Sequence, residues 1–84
     1  MMLTTHEFVA TCTCPVDSGP DTYEVMVETQ IDIPVESILA ATAALKDEKL
    51  YQEEFTRRLA RQLGARVTTV GWHSGVRTTC RAPS

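Results

Sequence analysis

Cys14 and Asp21 stand seven positions apart, with Pro15, Val16, Asp17, Ser18, Gly19 and Pro20 between them. A thiol and a carboxyl at the two mouths of one Pro/Gly-rich connection can lie close in space. That pairing suits a nucleophile and a proton donor acting together on one electrophile. The other two cysteines, Cys12 and Cys80, read as small buried hydrophobes, the usual fate of a lone thiol. A metal site built from Cys12, Cys14 and Cys80 with His6 or His73 is disfavoured. Only Thr13 separates Cys12 from Cys14, where structural zinc sites usually place about two to four residues. His73, between Trp72 and Ser74, is either a general base or a surface strand residue. Taken alone, Glu36 and Glu53 are helix-surface acids.

The elements that must position these groups follow from periodicity. Glu7 to Cys14 alternates, with Phe8, Ala10, Cys12 and Cys14 on one face and Val9, Thr11 and Thr13 on the other; Pro15 stops the strand. Val16 to Pro20 is turn chemistry. A second strand carries Tyr23, Val25, Val27, Ile31 and Ile33 on its dry face and Glu24, Glu28, Gln30 and Asp32 on its wet one. Met26 falls on the wet side, where a partner could meet it. The two strands form an antiparallel hairpin.

Pro34 suits the first position of a helix whose apolar stripe is Ile38, Ala41, Thr42 and Leu45. Lys46 to Lys49 is a connection, with Asp47 as a candidate N-cap for the next helix. That helix repeats Tyr51, Phe55, Leu59 and Leu63, pairs Glu53 with Arg57 and Glu54 with Arg58, and ends at Gly64. Arg66 to His73 and Val76 to Cys80 are strands around a Ser74-Gly75 turn, and the last residues, Arg81 to Ser84, fray. The fold class is α+β: a four-stranded antiparallel sheet in ββααββ order with two helices on one face.

All of residues 1–84 form a single small domain, for which sharing a sheet with identical partners is a physical remedy. The formal net charge of −3 disfavours a nucleic-acid backbone binder. Arg57, Arg58, Arg61 and Arg66 interleave with acids and read as a solvated face. No stretch approaches transmembrane length and no signal-peptide pattern opens the chain. Three cysteines without regular spacing fit a reducing cytoplasm.

The segment Cys14-Pro15-Val16-Asp17-Ser18-Gly19-Pro20-Asp21 resembles the active-site segment of the 7-cyano-7-deazaguanine nitrile reductases of queuosine biosynthesis (QueF) and their QueF-like amidine-forming homologues, in the tunnelling-fold superfamily. Glu7-Phe8, Val35-Glu36-Ser37 and Tyr51-Gln52-Glu53-Glu54 are similar to further family segments, so the likeness runs from about Glu7 to Cys80. It implies that Cys14 adds to the nitrile carbon to give a thioimide and that Asp21 donates the proton. It also implies that Glu53 holds the amide and amino edge of a guanine-like base, and that Glu36, Ser37 and Gln52 complete the pocket. Subunits would join edge to edge into a cyclic barrel, with Glu53 of one chain approaching Cys14 of another.

Two departures bear on the second half of the reaction. The family reductases follow Val-Glu-Ser with Lys-Ser-Leu-Lys, part of the NADPH motif, where this chain has Ile38-Leu39-Ala40-Ala41. The family histidine is Gln52 here, which cannot transfer a proton. The resemblance therefore implies a thioimide resolved by ammonia transfer or by NADPH reduction, with the cofactor motif missing. The competing reading is a non-catalytic or GTP-cyclohydrolase-like tunnelling-fold protein that binds a purine or pterin.

Overall fold

A computed structural model describes residues 2–83. The chain runs β1 (Thr4–Thr13), β2 (Pro20–Thr29), α1 (Val35–Leu45), α2 (Gln52–Leu63), β3 (Arg66–His73) and β4 (Val76–Ala82). The strands form one antiparallel sheet in the order β1-β2-β3-β4. Residues opposite one another across the sheet share a face. The row Phe8, Val25, Thr69, Cys80 and the row His6, Val27, Val67, Ala82 therefore point the same way. That side faces the helices. Tyr23, Val25 and Val27 bury there against Phe55 and Leu59 of α2, with Ala10, Cys12 and Leu45 closing the core. Each large apolar side chain so buried contributes about 1.5–3 kcal/mol.

The turns carry the expected backbone signals. Ser74 and Gly75 both have positive φ, 51° and 84°, as a two-residue hairpin whose twist matches its strands requires. Gly64 ends α2 in the left-handed region, its N–H bonded to the Ala60 carbonyl.

Five expectations need correction. The second strand stops at Thr29 and not at Ile33. The Thr29 hydroxyl accepts from the Ile31 N–H and lies against the Ile31 carbonyl, a local turn that leaves Ile31 63% exposed. Pro34 is the extended residue before α1 and not its first helical residue, and α2 begins after Tyr51 and not after Asp47. Consequently Tyr51 is 62% exposed and the buried stripe starts at Gln52. Of the two expected ion pairs, Glu54–Arg58 is present at 3.9 Å, although Arg58 lies closer to Glu48 at 2.7 Å; Glu53–Arg57 is replaced by Arg57 on Glu54, and among the described residues no cation pairs with Glu53. Finally, β4 continues through Arg81 and Ala82, which pair with Thr68 and Val67 and so do not fray; Ser84 lies outside the described residues.

Among the described residues, the sheet's other face carries no helix. Its rows read Thr5, Glu28, Arg66; Glu7, Met26, Thr68, Arg81; Val9, Glu24, Val70, Thr79; and Trp72 with Arg77. Val9 and Trp72 are about two-thirds exposed, at 66% and 67%. Acids sit on the β1–β2 half and arginines on the β3–β4 half.

Candidate active site

The β1–β2 hairpin closes over Cys14. Its N–H donates to the Gly19 carbonyl at 2.7 Å, its carbonyl accepts from Ser18 N–H, and Ser18 takes a positive φ of 62° to complete the turn. In the β1–β2 register Asp21 faces Cys12, on the helix side of the sheet, which brings its carboxyl beneath the loop. The approach to α2 is tied to the same hairpin: Thr13 N–H donates to the Glu48 carbonyl and Leu50 N–H to the Thr13 carbonyl. This short parallel bridge sets Tyr51, Gln52 and Glu53 beside Cys14.

These groups line one cleft of about 260 Å³, shared by Cys14, Pro15, Val16, Asp21, Tyr51, Gln52, Glu53, His73 and Thr78. Drug-sized ligands occupy about 300–1,000 Å³, so this space suits a single base-sized molecule. Cys14, Asp21, Gln52 and Glu53 thus meet within one chain, whereas the resemblance had implied Glu53 and Cys14 approaching from different chains. Glu36 and Ser37 do not line the cleft; Ser37 faces a separate groove between α1 and α2.

The chemistry of the lining is differentiated. Burial pushes the Cys12 thiol up, and Cys12 is 1% exposed with its sulfur 3.7 Å from the Leu50 carbonyl. Burial likewise pushes the Cys80 thiol up. All three cysteines are free, and Cys14 is the one that opens on the cleft. Differential alkylation checks this. Iodoacetamide at pH 8 is expected to label Cys14 at least about tenfold faster than Cys12 or Cys80, since the thiolate is the reactive form and a raised pKa depletes it. Equal labelling of Cys12 would contradict the assignment.

Asp17 was legible only as a turn residue, yet its carboxylate is held below the usual range, first by the Gly19 N–H at 2.9 Å and then by the Cys14 thiol beside it. A lowered carboxylate favours the ordered loop at neutral pH, and that contribution is lost as pH falls through the folded-state value. Its spacing three residues after a strand-ending cysteine is the signal that could have found it. Asp21 accepts a long 3.4 Å bond from the Tyr23 hydroxyl, whose own pKa burial pushes up strongly, so the phenol remains a donor.

Gln52 is buried, and His73 lies across the cleft from it. The Gln52 Nε2 donates toward the Thr69 carbonyl, the Thr69 hydroxyl and the Thr78 carbonyl at 3.0–3.2 Å. The His73 Nε2 lies 2.8 Å from Gln52 Oε1. Nothing in the apolar pattern marks Gln52 as buried, and nothing near His73 in sequence points to this cleft. Among the described residues, no group of three or more His, Cys, Asp or Glu converges as a metal site would require. No helix among them is long and apolar enough to cross a membrane.

A meander of four antiparallel strands with a helix pair inserted between the second and third is the tunnelling-fold unit. No protein-family model matches the chain, and no curated protein matches it significantly. Among solved structures, the apo form of an archaeosine synthase QueF-like shares this fold. Its TM-score is 0.83 at 19% sequence identity, over 95% of this chain and 90% of that one.

Proposed function

We propose that the chain is a nitrile-processing enzyme of 7-deazaguanine metabolism, in which Cys14 captures 7-cyano-7-deazaguanine, free or within nucleic acid, as a thioimide. The observation that carries this reading is the cleft that joins the Cys14 thiol, the Asp21 carboxyl and Glu53, on a fold shared with an archaeosine synthase. As the sulfur–carbon bond forms, one π bond of the nitrile becomes a lone pair on nitrogen. Asp21 protonates that nitrogen, and the thiol's proton replaces the one Asp21 gives. Glu53, which pairs with no cation among the described residues, accepts two N–H bonds from the amide and amino edge of the base. Tyr51, exposed at the mouth, offers a flat apolar face to the ring.

Ammonia is the acceptor favoured for the second half. NADPH fits poorly: α1 carries neither lysine nor arginine between Val35 and Leu45, so no cation on that helix meets a 2′-phosphate. Incubation with the nitrile base and either an ammonium salt or NADPH, followed by mass spectrometry of products, separates the cases. An ammonia-dependent amidine is the expected product. NADPH oxidation would move the assignment to reduction, and no product with either would leave a non-catalytic binder. A free catalytic thiol also fits a reducing compartment such as the cytoplasm.

The same reading includes a cyclic homo-oligomer. Among the described residues β4 pairs on one side only, and β1 does so except at Thr13, which bridges to Lys49; unpaired edges invite sheet continuation. The open face is acidic at Glu7, Glu24 and Glu28 and basic at Arg66, Arg77 and Arg81, so β1 of one copy laid beside β4 of the next matches opposite charges. Glu36 and Ser37 would then act across a subunit boundary. In sedimentation velocity the wild type is expected to run as a closed ring, and Arg77→Glu/Arg81→Glu as smaller species. Monomeric wild type, or a ring indifferent to the double reversal, would contradict this arrangement.

A further inference from the structure

We infer that His73 is the acid–base residue for release of the captured base, held as its Nε2–H tautomer by Gln52 so that Nδ1 is the free nitrogen. The inference rests on the thioimide reading above. Its first observation is the direction of every hydrogen bond around Gln52. The Thr69 and Thr78 carbonyls can only accept, so the Gln52 amide must turn its NH₂ toward them and its Oε1 toward His73. The orientation is reinforced from below. The Thr56 hydroxyl donates to the Gln52 backbone carbonyl at 2.7 Å, so the Thr69 hydroxyl must donate to Thr56, leaving its lone pair for Gln52 Nε2. Gln52 Oε1 is an acceptor, and therefore His73 Nε2 must carry the hydrogen.

The second observation is place. His73 ends β3, packs beside Tyr23 at a ring separation of 6.3 Å, and lines the cleft with Cys14, Asp21 and Glu53. It supplies the cleft's imidazole; Gln52 is fully committed and cannot exchange a proton. As ammonia adds to the thioimide carbon, a carbon–nitrogen bond forms and Nδ1 takes one proton from the incoming nitrogen. When the tetrahedral adduct collapses, the carbon–sulfur bond breaks and Nδ1 returns that proton to the Cys14 sulfur. The products are the amidine and the free thiol, and His73 ends as it began.

The test separates capture from release in His73→Ala, using 7-cyano-7-deazaguanine and an ammonium salt. His73 is exposed at a hairpin end, so the variant is expected to fold. Cys14 should form its adduct at close to the wild-type rate, discharge it about 100-fold more slowly, and regain at least part of that loss with added imidazole. Nitrogen NMR of the wild type should show the Nε2–H tautomer. Wild-type discharge by the variant, no effect of imidazole, or an Nδ1–H ring would overturn this proposal alone. An adduct that ammonia never discharges from the wild type would overturn it while leaving capture by Cys14 standing. No adduct at all would overturn both.

Discussion

Cys14→Ala is expected to leave no detectable covalent capture and no turnover of the nitrile base, with the fold intact. The side chain is only partly buried in a hairpin loop, and its backbone rather than its sulfur closes the turn. The loss should therefore be chemical and not structural. Removing a sole nucleophile leaves only binding, whereas removing the proton donor leaves a slower version of the same step. Asp21→Asn keeps the shape and the bond from Tyr23 but cannot donate as a carboxylic acid, so it should slow capture about 100-fold without abolishing it. Cys12→Ala, altering a thiol 1% exposed in the core, should capture normally after any stability loss is allowed for. Rates of adduct formation for the three variants check the ordering.

The largest stability effect is expected where fold and cleft share one contact. Gly71 lies under the Tyr23 ring: an added Cβ would sit 2.6 Å from Tyr23 Cδ1 and 2.8 Å from Cε1, with Gln52 Oε1 at 3.4 Å. Tyr23 is buried against Phe55, ring centroids 5.4 Å apart, so it has little room to retreat. Gly71→Ala should cost about 3 kcal/mol, near the top of the usual range for overpacking. For a domain this size that lowers the melting temperature by about 12–24 °C. Thermal unfolding followed by circular dichroism measures it; a variant melting with the wild type would show that the ring moves freely. In whatever fraction remains folded, displacing Tyr23 and Gln52 should also disturb the His73 ring.

Much of the architecture was legible because strand alternation and glycine turns are local signals. Phe8, Ala10 and Cys12 share one face of the first strand by alternation and Val9 takes the other, as found. Ser74-Gly75 and Gly64 announced their turns by residue type. The errors have physical causes. The alternation at Ile31 and Ile33 mimics a longer strand, but the Thr29 hydroxyl competes for the backbone and ends it. Tyr51 fits a four-residue stripe with Phe55 and Leu59, yet the stripe of α2 opens on Gln52. No hydrophobic pattern can reveal a glutamine buried because carbonyls from two other strands need its donors.

The candidate site divides the same way. Cys14 and Asp21 were visible because a short connection must bring its ends together. Gln52 and Glu53 came only from a resemblance, and the bridge from Thr13 to Lys49 that delivers them is a tertiary contact. His73 arrives by way of two further strands, so nothing in its neighbours along the chain pointed to a thiol.

Intact-mass spectrometry of the wild-type chain mixed with 7-cyano-7-deazaguanine in the absence of ammonia tests the central claim most directly. Capture predicts one adduct whose mass gain equals the whole nitrile, since addition expels no leaving group, mapped by proteolysis to Cys14. An unmodified chain, or an adduct carried by Cys12 or Cys80, would contradict it.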